Sequence, residues 1–576
     1  VRGHRGATRL AAALAVVVAA CSPGPTPSPA STEPPLVATS AAPATATPAA
    51  SSTATACAAI ATPPAQAWND EVWYEAFVRS FADSNGDGIG DLRGMTAKLD
   101  YLNDGDPATT TDLGVSGLWL MPIFDAASYH GYDVIDYRKI DPAYGTATDF
   151  KAFLAAAHQR GIKVILDLVM NHTSDQNPWF KASAKGDPTY ADWYIWSDTD
   201  PGYLGPQGQT VWHPLDGRYY YGVFGAGMPD LNLRNPAVTA ELESIAKFWL
   251  DQGVDGFRLD AIPYLIEDGQ KQFSTPDTLA WLRGFEASVE ADKPGAMTIG
   301  EVWAGASIAA KYVPDSADLT FNFDLASSTV AAVHTGQPAP LVSALQETVT
   351  EWPANQEGTF LTNHDQERAI TTLGGNVDEA RLAALLLMTE PGVPFVYYGE
   401  ELGLAGSKPD PQIRTPMPWT ATRKTGGFTK GTPWEPLAPG TATTNVATES
   451  ADPASLLNAY RSLIRLHDAQ APLHEGGTIP VAATGPVVAW LRTTADDAQL
   501  VVANVSGSAT SDYGLTLGAG PLCSVGGSAT VIGAVNMDAA SAASAPERTP
   551  TGGFADYRPF AALPPHAGAV IELGRP

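Results

Sequence analysis

Cysteine is scarce in this chain of 576 residues: there are three, Cys21, Cys57 and Cys523. No two of them stand at zinc-ligand spacing, which argues against a cysteine zinc site. Cys57 and Cys523 either pair in an oxidising compartment or stay as two free thiols. Positive charge is also scarce. The chain has 34 Lys and Arg against 62 Asp and Glu, a formal net charge of −28. Such a field repels a polyanion, so nucleic acid is not an expected partner, whereas an uncharged substrate is compatible with it. No glycine-rich nucleotide turn follows the first strand-like run, which argues against a doubly wound open sheet. No organic cofactor is expected. No internal repeat is evident, and beyond residue 20 no run is long and apolar enough to span a bilayer.

The N-terminal segment reads as an address. Arg2, Arg5 and Arg9 form a basic stretch, and residues 10–20 (LAAALAVVVAA) form an apolar one too short for a membrane span. The run ends Val18-Ala19-Ala20-Cys21, which resembles a bacterial lipobox. That makes residues 1–21 a lipoprotein-type signal, with Cys21 the lipidated first residue of the mature chain. The alternative is an ordinary cleaved signal peptide. Residues 22–66 are Pro, Ala, Ser and Thr with almost no large apolar side chains. They cannot offset their ordering entropy, so a disordered tether is expected. The expected location is extracellular, on the outer face of the cell membrane, with the lipid anchor as the only membrane contact and the chain a monomer.

From Trp68 onward strand-like and helix-like runs alternate. Val72–Phe81, Val115–Pro122, Gly161–Asn171, Val254–Asp260, Met297–Trp303, Phe360–Asp365 and Pro394–Glu400 are apolar, strand-like runs. Ala147–Arg160, Val238–Gln252 and Glu379–Thr389 carry apolar residues at helical spacing. Apolar strands separated by helices imply a parallel sheet, and so many repeats favour a closed (β/α)8 TIM barrel over residues 67–172 and 228–474. Residues 173–227 are rich in Trp, Tyr, Asp and Pro and lack helical period. They are expected to form a small inserted domain after the third strand, over the barrel mouth. Residues 475–576 carry short apolar runs between Gly, Ser and Thr, which predicts a C-terminal antiparallel β-sandwich.

Several strand runs end in polar groups, at the end where barrel active sites sit. Asp167 and His172 close one run. Arg258 and Asp260 close the next and, two apart on a strand, share a face. Glu301 closes a third, and His364 and Asp365 a fourth. Convergent carboxylates in an aromatic mouth suit retaining glycoside hydrolysis, in which one ionised carboxylate attacks and one carboxylic acid donates a proton. Arg258 beside Asp260 would keep the nucleophile ionised. Val302 and Trp303 beside Glu301 could raise its pKa towards the acid role. A further set of hard oxygens occurs in DSNGDGIGD (83–91): Asp83, Asn85, Asp87 and Asp91, with the carbonyl of Ile89. This spacing suits a structural calcium ion, and the alternative is an Asx/Gly turn with no metal.

DLVMNH (167–172), GFRLDAIPYL (256–265), GEVW (300–303) and FLTNHD (360–365) resemble, in order, the four signature regions of the α-amylase family, glycoside hydrolase family thirteen. MPDLN (228–232) resembles its fifth. The resemblance implies that Asp260 forms the covalent glycosyl-enzyme, Glu301 is the acid/base and Asp365 holds ring hydroxyls. It implies that Arg258 orients Asp260 with support from Asp167, that His172 and His364 bind sugar hydroxyls, and that Tyr132 stacks under the sugar at the cleavage point. The 83–91 loop resembles the calcium loop of oligo-1,6-glucosidase-like members.

The motifs point to a subgroup between oligo-1,6-glucosidases and neopullulanases, acting on an α-glucan. Exo-acting relatives carry an Asp three residues before the stacking Tyr, where this chain has Tyr129. That departure leaves the end of the pocket less closed, favours binding along a chain and argues against a chain-end grip by Arg414, in RTPMPW (414–419). Ala261 after the nucleophile points to α-1,4 bonds. The expected activity is α-amylase-type hydrolysis of starch, glycogen or maltooligosaccharides. The alternatives are an α-glucosidase, a transglycosylase of trehalose synthase or glucanotransferase type, and a non-catalytic glucan-binding or transporter-associated protein.

Overall fold

The computed structural model describes Cys57, Pro63 and residues 66–523 and 527–574. The basic and apolar N-terminal segment, Cys21 and most of the Pro/Ala/Ser/Thr stretch lie outside the described residues. Among the described residues, no helix is long and apolar enough to cross a membrane.

Eight parallel strands close a barrel. They are β1 (Trp73–Ala76), β2 (Gly117–Leu120), β3 (Lys163–Leu168), β4 (Gly256–Leu259), β5 (Met297–Gly300), β6 (Leu319–Phe321), β7 (Glu357–Thr359) and β8 (Val393–Tyr397). Each pairs with its neighbours in sequence, and β8 closes on β1 with Trp73 opposite Phe395. The two-residue alternation of the strands sorts their side chains. Trp73, Trp119, Ile165, Ile299, Phe321 and Phe395 form one cluster that fills the barrel. Tyr74, Leu118, Leu120, Val164, Leu166 and Phe257 belong to the larger core beneath the helices. Gly117 is required here, because a Cβ would collide with the Trp73 ring.

The helices form where capping and spacing direct them. Ala147–Gln159 starts with a reciprocal Thr146/Asp149 capping box and buries Phe150, Phe153, Leu154 and Ala157, spaced to one face. Pro236–Asp251 starts with Asn235 as N-cap and Pro236 in its first turn.

Three sequence expectations need correction. The run 72–81 is not one strand: β1 ends at Ala76, and Val78–Phe81 is a short helix. Residues 360–365 follow β7 instead of forming a strand. The inserted segment is not free of helix, since Pro178–Ala184 is helical, with Asn177 capping Trp179 N. The rest of that segment carries a three-stranded antiparallel sheet of Trp196–Ser197, Trp212–Leu215 and Arg218–Tyr221.

The C-terminal part is antiparallel throughout. Its strands are β9 (Gly477–Ala483), β10 (Val487–Thr493), β11 (Ala498–Asn504), β12 (Leu515–Leu517), β13 (Ser528–Val535), β14 (Phe554–Tyr557) and β15 (Gly568–Gly574), in the order β13-β15-β11-β10-β9-β12-β14. β9 pairs with β10 through Gly477–Val481 and with β12 through Ala482 and Ala483. The ladder therefore folds over itself, and Leu515, Leu517 and Phe554 share one core with Leu491, Val502 and Ile571. Cys57 is disulfide-bonded to Cys523, with Cα atoms 6.1 Å apart. Gly552, at φ +73°, leaves the space that the Cys57 sulfur occupies.

Candidate active site

The C-terminal ends of the barrel strands surround a cavity of about 590 Å³. Asp260, Glu301, Asp365, Tyr132, His172 and Arg414 line it. So do His130, Gln207, Phe224, Tyr264, Trp303 and Asp410.

Beneath the cavity lies Arg258, on β4 and fully buried. The parallel register sets it opposite Asp167 of β3. Its Nη1 donates to Asp167 Oδ1 at 2.9 Å and Oδ2 at 3.1 Å, and to Asp260 Oδ1 at 2.6 Å. Its Nη2 lies 2.8 Å from Glu301 Oε2. Asp260 and Glu301 are the first residues beyond β4 and β5, so adjacent strands deliver them side by side. Arginine suits this position because its charge is permanent and its donors diverge in a plane. Ala261 adopts the left-handed conformation, φ 48° and ψ 36°, and its N–H donates to Glu301 Oε2 at 3.0 Å. Strained backbone of this kind concentrates at functional sites.

The carboxylates are tuned differently. Burial raises Glu301 above its ordinary value, with Arg258 opposing and Asp260 and Asp365 adding to the rise. Burial raises Asp260 too, again opposed by Arg258. For Asp365 burial also acts upward, but His364, Arg414 and Arg258 outweigh it and hold the group well below the carboxylate range. Burial pushes Asp167 up to about 7 against Arg258. Its oxygens nevertheless meet only donors: Arg258, Tyr132 Oη at 3.0 Å and Trp119 Nε1 at 3.3 Å. That donor set holds Asp167 as a carboxylate. Burial lowers His172 to about 4, and its buried Nε2 has no protein partner. His172 thus stands in the cavity wall as a neutral imidazole. Val302 is buried, but Trp303 is 53% exposed and stacks on Phe323 at 4.7 Å. The rise at Glu301 therefore comes from its own burial and not from a dry wall at Trp303.

Asp167, Arg258 and His364 do not line the cavity; they form the layer beneath it. His364, expected to meet sugar hydroxyls, has its Nε2 2.6 Å from Tyr132 Oη and 3.2 Å from Asp365 Oδ2. Arg414 donates from Nε to the His364 carbonyl, and from Nη2 to Asp365 at 2.8 Å and Asp410 at 3.1 Å. Tyr129 does not line the cavity, and its ring lies against Trp434 at 5.4 Å. Trp179, Trp193, Trp196 and Trp212 pack against other aromatic rings of the inserted segment and its neighbours, and none lines the cavity. Sequence reading missed Glu75 and Asp410. The signal for Glu75 was an acid inside the apolar run of β1, a position where ionisable groups are rare unless paired.

In the 83–91 loop each candidate side-chain ligand accepts from at least one backbone N–H. Asp83 Oδ1 accepts from Asn85 N at 2.9 Å and Gly86 N at 2.6 Å, and Oδ2 from Gly88 N at 2.8 Å. Asn85 Oδ1 accepts from Asp87 N, and Asp87 Oδ1 from Ile89 N, both at 2.8 Å. Asp91 accepts from Ser84 N at 2.9 Å and caps the next helix at Gly94 N, 2.7 Å away. Among the described residues, no three His, Cys, Asp or Glu side chains gather as metal ligands. The donor set is hard oxygen, as calcium needs, and Asn85 and Asp87 are exposed.

The family model described as "Alpha amylase, catalytic domain" matches residues 75–476. The chain is 40% identical to alpha-amylase 3 of Dictyoglomus thermophilum over 404 residues, covering 69% of this chain and 77% of that protein. It is 35% identical to the trehalose synthase/amylase TreS of Mycolicibacterium smegmatis, covering 69% and 76%. Among solved structures it is similar to the α-amylase from H. orenii, with a TM-score of 0.76 and 38% identity over 87% of this chain and 99% of that one.

Proposed function

The chain belongs to the α-amylase family, and on that premise we propose that it is a retaining hydrolase of α-1,4-glucosidic bonds in starch, glycogen or maltooligosaccharides. The observation that carries this reading is Arg258 bridging Asp260 and Glu301 with one guanidinium. A retaining pair stands about 5–5.5 Å apart, whereas an inverting pair is wider to admit a water. Two carboxylates on one guanidinium favour the closer arrangement.

In this mechanism Asp260 attacks the anomeric carbon while Glu301, raised by burial, protonates the departing oxygen. Glu301, now ionised, then takes a proton from the water that releases the glycosyl group from Asp260. Asp365, held ionised, accepts hydrogen bonds from ring hydroxyls of the distorted sugar. Tyr132 and His172 supply an aromatic face and a neutral imidazole at the cavity wall.

Cleavage within a chain is supported by Tyr129, which turns onto Trp434 and offers no carboxylate to a chain end. One observation favours the second reading, an α-glucosidase or a transglycosylase. Asp410 and Arg414 form an ion pair at the cavity wall, a charged feature that could grip a chain end. A product time course with soluble starch and an end-blocked maltoheptaoside separates the two. Internal cleavage of the blocked chain, with early short maltooligosaccharides, is expected. Glucose as sole early product with the blocked chain untouched would overturn the assignment, and a trehalose-type or elongated product would point to transfer.

The proposal extends to place and partners. The protein is exported and held on the outer membrane face through lipid on Cys21; the Cys57–Cys523 disulfide, which needs an oxidising compartment, supports export. It would act as a monomer on α-glucan, and Asp83, Asn85, Asp87, the carbonyl of Ile89 and Asp91 would hold a structural calcium ion.

A further inference from the structure

Both nitrogens of the buried His364 ring meet acceptors. Nδ1 lies 2.5 Å from Glu75 Oε1, and Nε2 lies 2.6 Å from Tyr132 Oη and 3.2 Å from Asp365 Oδ2. The tyrosine proton is committed elsewhere, since Tyr132 Oη donates to Asp167 Oδ2 at 3.0 Å. Asp167 in turn receives only donors. The tyrosine oxygen must therefore accept from His364. A neutral imidazole has one N–H and would leave one of these contacts without a proton. The ring cannot turn away, because it is fully buried, stacked on Tyr132 at 5.5 Å and edge-on to Trp119 at 5.7 Å.

Resting on the reading of this site as a glycosidase centre, we propose that Glu75 is a positioning residue whose carboxylate keeps His364 doubly protonated. The resulting imidazolium holds Asp365 ionised and fixes Tyr132 at the cavity wall. Glu75 is 2% exposed and does not line the cavity, so it acts only through His364.

The charges around the ring bear on this. Glu75 reaches it from β1 and Asp365 from its own loop. Two guanidiniums oppose a cation there. Arg414 donates to the His364 carbonyl from beyond β8, and Arg258 lies over the Tyr132 and Trp119 rings at 5.8 and 5.2 Å. Glu400, from the segment after β8, lies close enough for the charge of Glu75 to add to the rise that burial gives it. Burial alone would lower His364, but the two carboxylates in direct contact outweigh it and hold the ring at about 9.

The test is an NMR titration of the full chain with histidine labelled in its ring nitrogens, His364 being assigned by the signal lost in His364→Asn. The wild type is expected to show both ring N–H groups at neutral pH. Glu75→Gln keeps an acceptor of similar shape but removes the charge. It should lower the His364 titration by about 1–3 pH units. Activity should then fall earlier as pH rises, through kcat more than KM, with near wild-type kcat on the acid side. A purely structural role would reduce activity equally at every pH. A neutral His364 tautomer in the wild type at neutral pH would overturn the proposal, as would an unmoved titration in Glu75→Gln. If that variant does not fold, the wild-type titration alone still decides. Products of transfer or exo action would sink the proposed function while leaving this reading of His364 intact.

Discussion

Removing Asp260 and removing Arg258 are different operations, because one guanidinium serves three carboxylates. Asp260→Asn leaves Arg258 paired with Asp167 and Glu301, so the fold should persist while turnover falls by roughly 10⁶-fold, the size seen when the nucleophile of a catalytic set is removed. Arg258→Ala leaves Asp167, Asp260 and Glu301 buried without their cation, and unfolding free energy should drop by about 3–5 kcal/mol. Denaturant titration beside a starch assay checks both, and an inactive but equally stable Arg258→Ala protein would contradict the structural half. His364 adds a pH dependence of definite sign. Its folded value, about 9, lies above the unfolded value of about 6.5. The stability from its pairing is full below the unfolded value and is lost as pH rises through the folded one. At this scale the sequence was most legible where a polar residue ends an apolar run: Asp167, Asp260 and Glu301 all read that way. It was least legible where function depends on the partner of a partner. Glu75 belongs to no motif and meets His364 only when β1 and the β7 loop come together. Asp410 opens a four-residue helix, Asp410–Ile413, too short to leave a readable periodicity.

The elements show the same division. β2, β3, β4, β5 and β8 are buried on both faces, and continuous burial leaves a continuous apolar run to read. β6 is three residues long, too short to carry a pattern, and went unread. β7 begins with Glu357 and Gly358, so its polar and glycine character hid it, and the reading settled instead on the apolar residues that follow. The loop 83–91 is the element whose sequence permits two structures. Each Asx side chain closes a turn on a backbone N–H two or three residues on, and the same oxygens are the proposed calcium ligands. Asp87→Asn separates them, since the amide oxygen can still accept from Ile89 N while the carboxylate charge is lost. With calcium at a hundredfold excess over its Kd, binding should stabilise the protein by about 2.7 kcal/mol. Chelation should therefore lower the melting temperature of the wild type, and Asp87→Asn should melt lower in calcium and respond less to chelator. A wild-type melting temperature indifferent to chelation would leave the loop as an Asx ladder alone.

For the whole molecule, charge, disulfide and N-terminal chemistry bear on a single question, where the enzyme works. A net charge of −28 does not deter an uncharged glucan and favours solubility. The Cys57–Cys523 bond joins positions 466 residues apart, linking the chain just ahead of the barrel to the C-terminal sheet. Bonds of this kind persist outside the reducing cytoplasm. A single acyl chain gives only weak membrane binding, whereas a lipoprotein Cys carries more than one and is held firmly. On the proposed anchoring, Cys21→Ser removes the site of lipid attachment. Expressed in a bacterial host that lipidates such signals, the wild type should fractionate with the membrane and the variant with the soluble external fraction. Both should run as the oxidised form on non-reducing gels, and both should have the same kcat on starch, because the anchor lies far in sequence from every residue at the cavity. Membrane retention of Cys21→Ser would remove the lipid anchor from the proposal. Free thiols at Cys57 and Cys523 in freshly isolated protein would go further and count against export itself.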